Sequence, residues 1–434
     1  MAVDTQKTLR SQILYSVFVR QYSKEGTFRK VREDLPRIKD LGVDIIWLMP
    51  IHPIGMKNRK GSLGSPYAIR DYRAVNPEFG TREDFIELVN GIHALGMKCI
   101  IDVVYNHTSP DSVLAKEHPE WFYHKKDGSF GNKIGDWSDV IDLDYTQRGL
   151  WNYQIETLKM WAEIVDGFRC DVAPLIPLEF WLEARKAVQA IRPDCLWLSE
   201  SVEPVFTYDN RARKMTSLSD SEIFQAFDVS YEYDVYHDWI KCLTERIPLS
   251  QYLDKINQQE YIYPENYVKL RFLENHDRPR ARFCIPDAAS RENWTAFLFF
   301  QKGMTLLYNG QETENMHRPS LFDKDYIQWN TGSDISARLK ALAQIKRHPL
   351  MEEGSYSVKD GGNHIIVAEY TDRAKSLFGV FSTKGISSIV PVDIPDGVYT
   401  NLLNNQEIYV ESGFACNEGK PQIFEVSRRT VHEE

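Results

Sequence analysis

The sequence predicts an α/β protein with a (β/α)8 TIM barrel, a short inserted loop subdomain after the third strand, and a C-terminal antiparallel β-sandwich domain. Short apolar runs alternate with amphipathic stretches along most of the 434 residues, which is typical of parallel strands joined by helices. The apolar runs are continuous rather than alternating, which indicates strands buried on both faces. From about residue 352 the pattern changes to short strands separated by turns, as in a small sandwich.

Eight strands can be assigned in order along the chain. They cover residues 13–19, 43–50, 97–105, 167–173, 195–200, 225–231, 267–274 and 304–310. Helical periodicity is found over residues 32–42, 82–96, 150–164, 178–193 and 336–348. Eight βα units are the number that closes a barrel. A doubly wound open sheet is the alternative, but no GxGxxG motif follows the first strand, which disfavours it.

These elements divide the chain into two predicted domains. We expect the barrel over residues 1–350, including the insertion at 108–146, and the sandwich over residues 351–434. The insertion is long for a βα loop, and loops of that length are usually functional. It is rich in aromatic residues, which are Trp121, Phe122, Tyr123, Phe130 and Trp137. These rings could stack on a ligand or pack as a small core of their own.

Composition limits the classes of partner. A chain with 42% hydrophobic and 26% charged residues is typical of a soluble globular protein, and no apolar run approaches the ~20 residues of a membrane span. A net charge of −10 argues against nucleic acid as a partner. The six cysteines form no CxxC pair, which predicts free thiols in a reducing compartment. We therefore expect a cytoplasmic protein unless a signal segment has been removed; the oligomeric state stays open.

The fourth strand carries charges where a buried strand normally carries none. In "GFRCDVAPLI", Arg169 and Asp171 occupy alternate positions, so both side chains leave the same face of the strand. Charged groups are rarely buried unless they are paired. The spacing therefore predicts a paired arginine and aspartate at the mouth of the barrel.

Other polar residues follow the strands at the same end. The third strand is followed by Asn106 and His107, the fifth ends at Glu200, and the seventh is followed by His276 and Asp277. The carboxyl ends of barrel strands meet at one face, which is where active sites lie. The sequence therefore predicts that the carboxylates of Asp171, Glu200 and Asp277 converge there.

Converging carboxylates are what the cleavage of glycosidic bonds requires. One carboxylate attacks the anomeric carbon, and a second, protonated one donates to the leaving oxygen. Arg169 is expected to lower the pKa of Asp171 and keep it ionised. Burial and nearby negative charge are expected to raise the pKa of Glu200, which would make it the acid.

The motifs at these strand ends resemble the signature regions of the alpha-amylase family, glycoside hydrolase family 13. The matching segments are "DVVYNH" (102–107), "GFRCD" (167–171), "LSE" (198–200) and "ENHD" (274–277), supported by "SPYAIRDYRAVNPEFGT" (65–81) and "LLYNGQE" (306–312). They occur in the order in which that family has them, over roughly residues 10–350. The resemblance implies a barrel with a C-terminal sandwich, in agreement with the strand pattern.

The resemblance also implies a role for each matching residue. It implies that Asp171 is the nucleophile, Glu200 the acid/base, and Asp277 the group that grips the sugar hydroxyls and stabilises the transition state. It implies that His107 and His276 bind the same sugar, Arg169 supports the nucleophile and Tyr67 stacks under the ring. The reaction would be a retaining double displacement that needs no cofactor. Asn106 and Asp142 match calcium ligands of the family, which implies a structural Ca²⁺.

The chain departs from the family pattern at two places. Many alpha-amylases have a Lys-His pair after the nucleophile that serves the substrate and calcium, whereas this chain has Pro174 and Leu175. Exo-acting members often have an aspartate directly after the tyrosine that matches Tyr67, whereas this chain has Ala68. The second difference favours attack on internal bonds.

We therefore expect an alpha-amylase type hydrolase that cleaves α-1,4-glucosidic bonds in maltodextrin or starch fragments, with an α-glucan as its partner. An α-glucanotransferase is the alternative, because it uses the same covalent intermediate and passes it to a sugar instead of water. A third hypothesis is an inactive relative that only binds sugar or protein. The presence of Asp171, Glu200 and Asp277 argues against the third.

Overall fold

A computed structural model describes residues 4–134 and 137–428 and contains a closed barrel of eight parallel strands. The strands are β1 (Ile13–Val17), β2 (Ile45–Leu48), β3 (Lys98–Val103), β4 (Gly167–Cys170), β5 (Leu196–Ser199), β6 (Val229–Tyr231), β7 (Val268–Arg271) and β8 (Met304–Tyr308). Each pairs with its sequence neighbours, and β8 closes on β1. The predicted barrel is confirmed, with all eight strands at the expected places.

Helices follow the strands on the outside of the barrel. The α-helices are Val19–Tyr22, Phe28–Glu33, Leu35–Asp40, Arg82–Ala94, Val113–Glu117, Arg148–Ala162, Leu178–Gln189, Pro204–Ala212, Asp220–Ile223, Tyr233–Leu243, Leu249–Ile262, Ala281–Cys284, Ala288–Phe300, Ser336–Lys346 and Leu350–Glu353. The helix predicted over 32–42 is two helices, and Pro36 lies in the first turn of the second, where its missing N–H is tolerated. None of the helices between residues 204 and 300 is among those predicted from the sequence. No described helix is long and apolar enough to span a bilayer.

The insertion after β3 is anchored by a short antiparallel ribbon. His107–Thr108 pairs with Ile141–Asp142, with His107 directly opposite Asp142. Phe122 is buried and its ring centroid lies 5.4 Å from that of Phe130. Part of the aromatic set therefore packs as a small core of the insertion, while the ribbon holds the insertion over the barrel mouth.

Two four-stranded antiparallel sheets form the C-terminal region. Their strands are β9 (Ser355–Asp360), β10 (Ile365–Thr371), β11 (Lys375–Ser382), β12 (Ser387–Pro391), β13 (Gly397–Thr400), β14 (Glu407–Glu411), β15 (Phe414–Glu418) and β16 (Gln422–Ser427). The sheet orders are β9-β10-β11-β16 and β12-β15-β14-β13. The predicted sandwich is confirmed; the exact domain limits stay a prediction.

The first of these sheets is joined to the barrel by a shared core. Phe381 on β11 lies 5.5 Å, between ring centroids, from both Phe297 and Phe300 of the helix Ala288–Phe300. Phe300 also contacts Tyr370 of β10 at 5.4 Å. The apolar core is therefore continuous from the barrel into the first sheet.

Candidate active site

Arg169 is the centre of the site, and the strand register places it there. It lies on β4 directly beside Asp102 of β3, and it is fully buried. Its Nη1 donates to Asp102 Oδ1 and to Asp171 Oδ1, both at 2.9 Å. The arginine and aspartate of the fourth strand are thus paired, and Asp102 shares the same cation.

A third carboxylate joins the same guanidinium. Arg169 Nη2 lies 2.9 Å from Glu200 Oε2, which comes from the end of β5. The Nε donates to the Tyr231 hydroxyl at 3.2 Å, and the guanidinium carbon lies 5.0 Å from the Trp47 ring centroid. Three carboxylates therefore share one buried cation, which fixes their positions relative to each other.

Five of the predicted residues line one cavity of about 310 Å³. They are Tyr67, His107, Asp171, Glu200 and Asp277. The cavity is at the small end of the ~300–1,000 Å³ that is usual for ligand sites. Arg169 and His276 lie behind this wall and contact it.

Several lining residues are not among those predicted from the sequence. Lys60, Asp139, Leu321 and Phe322 come from three different loops and carry no motif, so no local signal marks them. Trp137 also lines the cavity, with its ring centroid 5.5 Å from that of His107. One ring of the aromatic insertion therefore faces the cavity.

Burial decides the protonation of the two central carboxyls. It raises the pKa of Asp171 to about 6, although Arg169 opposes the shift. Arg169 does lower this pKa, as expected, but the loss of hydration outweighs the ion pair, so the net shift is upward. Burial raises the pKa of Glu200 further, to about 7, as predicted for the acid. The order of the two groups is that of a nucleophile and an acid.

Asp277 is the carboxylate that stays ionised. Its side chain is 40% exposed and lies 3.1 Å from His276 Nε2 through Oδ2. Withdrawal from water opposes its ionisation, but the charge and hydrogen bond of His276 lower its pKa to about 2. An ionised carboxylate beside the cavity can accept hydrogen bonds from two hydroxyl groups.

Tyr67 and His276 pack as a pair. Their rings are stacked at 5.5 Å with an interplanar angle of 17°, and the Tyr67 hydroxyl lies 2.7 Å from His276 Nε2. The same hydroxyl donates to Asp102 Oδ2 at 3.2 Å. Tyr67 therefore links the β7 end of the site to the carboxylate that shares Arg169.

His107 faces Asp171 as a neutral ring. Its Nε2 lies 4.0 Å from Asp171 Oδ2, and burial lowers its pKa to about 4. Asn106 Nδ2 lies 3.2 Å from its Nδ1. A neutral imidazole at this place can exchange a hydrogen bond with a sugar hydroxyl without adding charge.

The residue after Asp171 has an unusual backbone conformation. Val172 has φ of 37°, in the left-handed region, which is an outlier for a β-branched residue. Its N–H donates to Glu200 Oε2 at 3.0 Å. This turn connects Asp171 to Glu200, and nothing in a Val-Ala-Pro sequence predicts it.

The segment that departs from the family pattern is apolar and packed. Ala173–Leu175 forms a short 3-10 turn whose residues are buried, and Trp181 Nε1 donates to the Ala173 carbonyl at 3.0 Å. No charged side chain replaces the missing Lys-His pair within this turn. The side chains of this turn can therefore contact a ligand only through apolar surface and not through hydrogen bonds.

Asn106 and Asp142 are the residues predicted to bind calcium. Asp142 Oδ2 accepts the Lys133 N–H at 2.6 Å, while its buried Oδ1 lacks a hydrogen-bond partner and would suit a cation. Among the described residues no three His, Cys, Asp or Glu side chains group as metal ligands, whereas calcium takes six to eight oxygens. Calcium stays a prediction, which the unfolding temperature with Ca²⁺ and with a chelator would test.

Comparison with known proteins identifies both parts of the chain. Residues 7–129 and 115–352 match the model of the alpha amylase catalytic domain, and residues 357–424 match the bacterial alpha amylase C-terminal domain. Among solved structures, an alpha-amylase from Lactobacillus plantarum is 48% identical with a TM-score of 0.95, covering 97% of this chain and 100% of that one. A maltogenic alpha-amylase from Thermotoga neapolitana is 32% identical with a TM-score of 0.86 and covers 97% and 100%.

Similar curated proteins are transferases. An alpha-1,4-glucan:maltose-1-phosphate maltosyltransferase from Myxococcus xanthus is 32% identical over 280 residues, which is 59% of this chain and 39% of that protein. Its counterpart in Rhodospirillum rubrum is 31% identical over 58% of this chain and 36% of that protein. The chain thus spans less than half the length of these relatives.

Proposed function

The chain belongs to the alpha-amylase family, and from this we propose that it is a retaining hydrolase of α-1,4-glucosidic bonds in maltodextrin or starch fragments. The observation that carries the proposal is the shared guanidinium, which lies 2.9 Å from both Asp171 and Glu200. Two carboxyls bound to neighbouring nitrogens of one arginine are held close together. Retaining enzymes need such closeness (~5–5.5 Å), whereas inverting enzymes need room for a water molecule between the groups.

The proposed reaction has two steps at the anomeric carbon. Asp171 attacks this carbon while Glu200 gives its proton to the leaving glycosidic oxygen, so that a covalent glycosyl ester forms. Glu200, now ionised, then takes a proton from water, and that water displaces Asp171. Asp277 and His107 would hold the sugar hydroxyls during both steps.

The carboxyl pKa values fit these roles. Above about 6 Asp171 is ionised, and below about 7 Glu200 is protonated. Both groups are in the required state between these limits. Asp277, with a pKa near 2, stays negative throughout and can stabilise the positive charge that develops on the sugar.

A glucanotransferase is the second candidate, and two observations favour it. The curated relatives are named as maltosyltransferases. In addition, Tyr208 is 73% exposed on the helix Pro204–Ala212, which follows Glu200 in the chain. An exposed aromatic ring there could hold an acceptor sugar by stacking.

The test is the product profile from purified maltoheptaose, followed over time by chromatography. Shorter oligosaccharides alone would support the hydrolase, and products longer than the substrate would support the transferase. The Asp171→Asn variant is the control and should lose at least about a thousandfold in turnover while it still folds. A wild-type protein that leaves maltoheptaose and longer α-glucans intact, or a variant as active as wild type, would contradict the proposal.

We keep a cytoplasmic location as part of the proposal. Each of the six cysteines is a free thiol, and Cys99, Cys170 and Cys195 are buried. Burial raises the pKa of the Cys99 and Cys170 thiols well above the usual value, so they are poor nucleophiles. Free thiols are what a reducing compartment maintains.

A further inference from the structure

The position of Glu200 shows where the two parts of a cleaved glucan, the leaving chain and the part bound to Asp171, would lie in the cleft. The acid must touch the leaving oxygen, so the leaving chain lies on the β5 side of the site. The part of the chain that stays on Asp171, the glycone, must extend away from β5. In the ring of eight strands β1 lies opposite β5, so the loops after β2 and β8, the neighbours of β1, lie on the far side, and the insertion after β3 lies next to the β2 loop.

An ion pair joins two of these loops inside the cavity. Lys60, from the loop after β2, places Nζ 2.8 Å from Oδ1 of Asp139, which belongs to the insertion after β3. The Asp139 side chain is only 7% exposed, whereas that of Lys60 is 37% exposed. The same ammonium lies 6.0 Å from the ring centroid of Phe322, from the loop after β8. The three loops thus meet at one charged group.

Backbone contacts hold these loops together next to the ion pair. Leu63 N–H donates to the Phe322 carbonyl at 2.9 Å, which ties the β2 loop to the β8 loop. Asn58 Nδ2 donates to the Ser138 carbonyl at 3.3 Å, which ties the β2 loop to the insertion. The glycone side of the cavity is therefore bounded by linked loops.

A buried arginine supports the same region from below. Arg20 is fully buried and donates through Nη1 to the carbonyls of Gly64, at 2.9 Å, and Leu321, at 3.2 Å. It is balanced by Glu78 at 2.9 Å. Because one rigid guanidinium fixes both loops, their spacing is set by the fold rather than by the substrate.

We propose that the Lys60–Asp139 pair forms the end wall of the glycone side, so that the enzyme cleaves only one or two glucosyl units from the non-reducing end of an α-glucan. The proposal rests on the function proposed above and names its substrate position. The ammonium and carboxylate would exchange hydrogen bonds with the free hydroxyls of the terminal sugar. Exo-acting members of the family often have an aspartate at the position of Ala68, and its absence by itself favours attack on internal bonds. In this chain the Lys60–Asp139 pair would do what that aspartate does.

The experiment uses maltoheptaose labelled at its reducing end. The size of the labelled product then reports which bond was cut, whether water or a sugar accepts the glycone. Wild-type enzyme should give labelled products that have lost one or two units in the first turnovers. In Lys60→Ala, the ratio of products that have lost three or more units to those that have lost one or two should rise by about tenfold.

Two further variants keep this test sharp. Asp139→Asn removes the charge that holds Lys60 and should shift the ratio in the same direction. Lys57→Ala removes a lysine from an exposed place in the same loop, outside the cavity, and should leave the ratio unchanged.

The outcomes separate this inference from the proposed function. If the wild type cuts at all bonds from the start, or if both pair variants keep the wild-type ratio, the end wall is wrong while the hydrolase stands. If the wild type cuts no α-glucan, the proposed function fails and the wall fails with it. A shifted ratio in both pair variants, with Lys57→Ala unchanged, supports the wall.

Discussion

The most consequential residue is Arg169, because its charge serves three acids that lie within ion-pair distance. Asp102, Asp171 and Glu200 all have a pKa of about 6 or 7, which shows that loss of hydration disfavours their ionisation despite the arginine. The site is therefore short of positive charge when all three are ionised. Burying these acids therefore lowers the stability of the fold, as is common where a site is built for function.

Removing this arginine should destabilise the protein strongly. We expect Arg169→Met to lower the free energy of unfolding at pH 7 by about 3–5 kcal/mol, because it leaves buried carboxylates without a partner. The folded-state pKa values lie above the usual value of about 4, so stability falls as pH rises through this range. At pH 5 these carboxyls are mostly protonated and need no positive partner. The loss of unfolding free energy caused by Arg169→Met should therefore be smaller at pH 5 than at pH 7. Denaturant unfolding at both pH values measures it.

A surface arginine provides the comparison for this measurement. Arg148 pairs with Glu183 at 2.9 Å, with side-chain exposures of 62% and 43%. Arg148→Met should change the free energy of unfolding by less than about 1 kcal/mol at either pH. Equal losses in the two variants would contradict the central role of Arg169.

At the scale of elements, the turn after β4 links Asp171 to Glu200, the proposed nucleophile and acid. Val172 N–H holds Glu200 Oε2 only because the backbone adopts a positive φ. This hydrogen bond favours the ionised form of Glu200 and so counteracts part of the pKa rise that burial causes. The turn thus sets both the position and the acidity of Glu200.

Substitutions at Val172 test this turn. Val172→Gly should keep activity, because glycine adopts a positive φ without steric cost. Val172→Pro fixes φ near −65° and removes the N–H, so activity should fall by about a hundredfold, as for a misplaced acid. The basic limb of the pH profile of the residual activity should move to higher pH, because the pKa of Glu200 rises when this hydrogen bond is lost. A proline variant with the wild-type pH profile would contradict this role.

The sequence revealed those elements whose burial follows a regular pattern. All eight barrel strands could be predicted, because most contain a short apolar run, and motifs with polar residues of the site follow the third, fourth, fifth and seventh strands. The helix Ala288–Phe300 was missed, because it is buried on nearly every side between barrel and sandwich and lacks a polar face. The helix Tyr233–Leu243 does bury Tyr233, Tyr236 and Trp239 at a spacing of three, so its signal was present.

The residues of the site could be predicted only where they belong to a sequence motif. Asp171, Glu200 and Asp277 follow strands in recognisable segments, and the structure places all three around one cavity. Lys60 and Asp139 lie in loops without a motif, and only the folded chain brings them together. The pKa of Asp171 could not be judged from Arg169 alone, because burial depends on the whole barrel mouth.

At the scale of the whole molecule, the pH dependence of activity follows from two carboxyl groups that must be in opposite protonation states. Asp171 must be ionised and Glu200 protonated, so kcat/KM should rise with pH through about 6 and fall through about 7. We expect a narrow bell with its maximum between these values. Initial rates on a labelled maltooligosaccharide across the pH range measure it. A plateau that extends well into the alkaline range would contradict the assignment of Glu200 as the acid.

The shared core predicts how the molecule unfolds. Because β10 and β11 pack on the helix Ala288–Phe300, the sandwich and the barrel should unfold in one calorimetric transition. Phe381→Ala should cost about 3–5 kcal/mol and lower the temperature of that single transition. Two separate transitions, with only the lower one shifted by the variant, would show that the regions unfold independently.

The wall at Lys60 and Asp139 has a consequence for how the enzyme would work on long polymers. A cleft that is closed on one side has a single opening, so the leaving chain must depart through it before water or an acceptor arrives. The short product must then leave by the same route before another chain enters. Such an enzyme releases its polymer after every cut and cannot move along it. Its rate on a glucan would therefore follow the number of non-reducing chain ends rather than the mass of polymer.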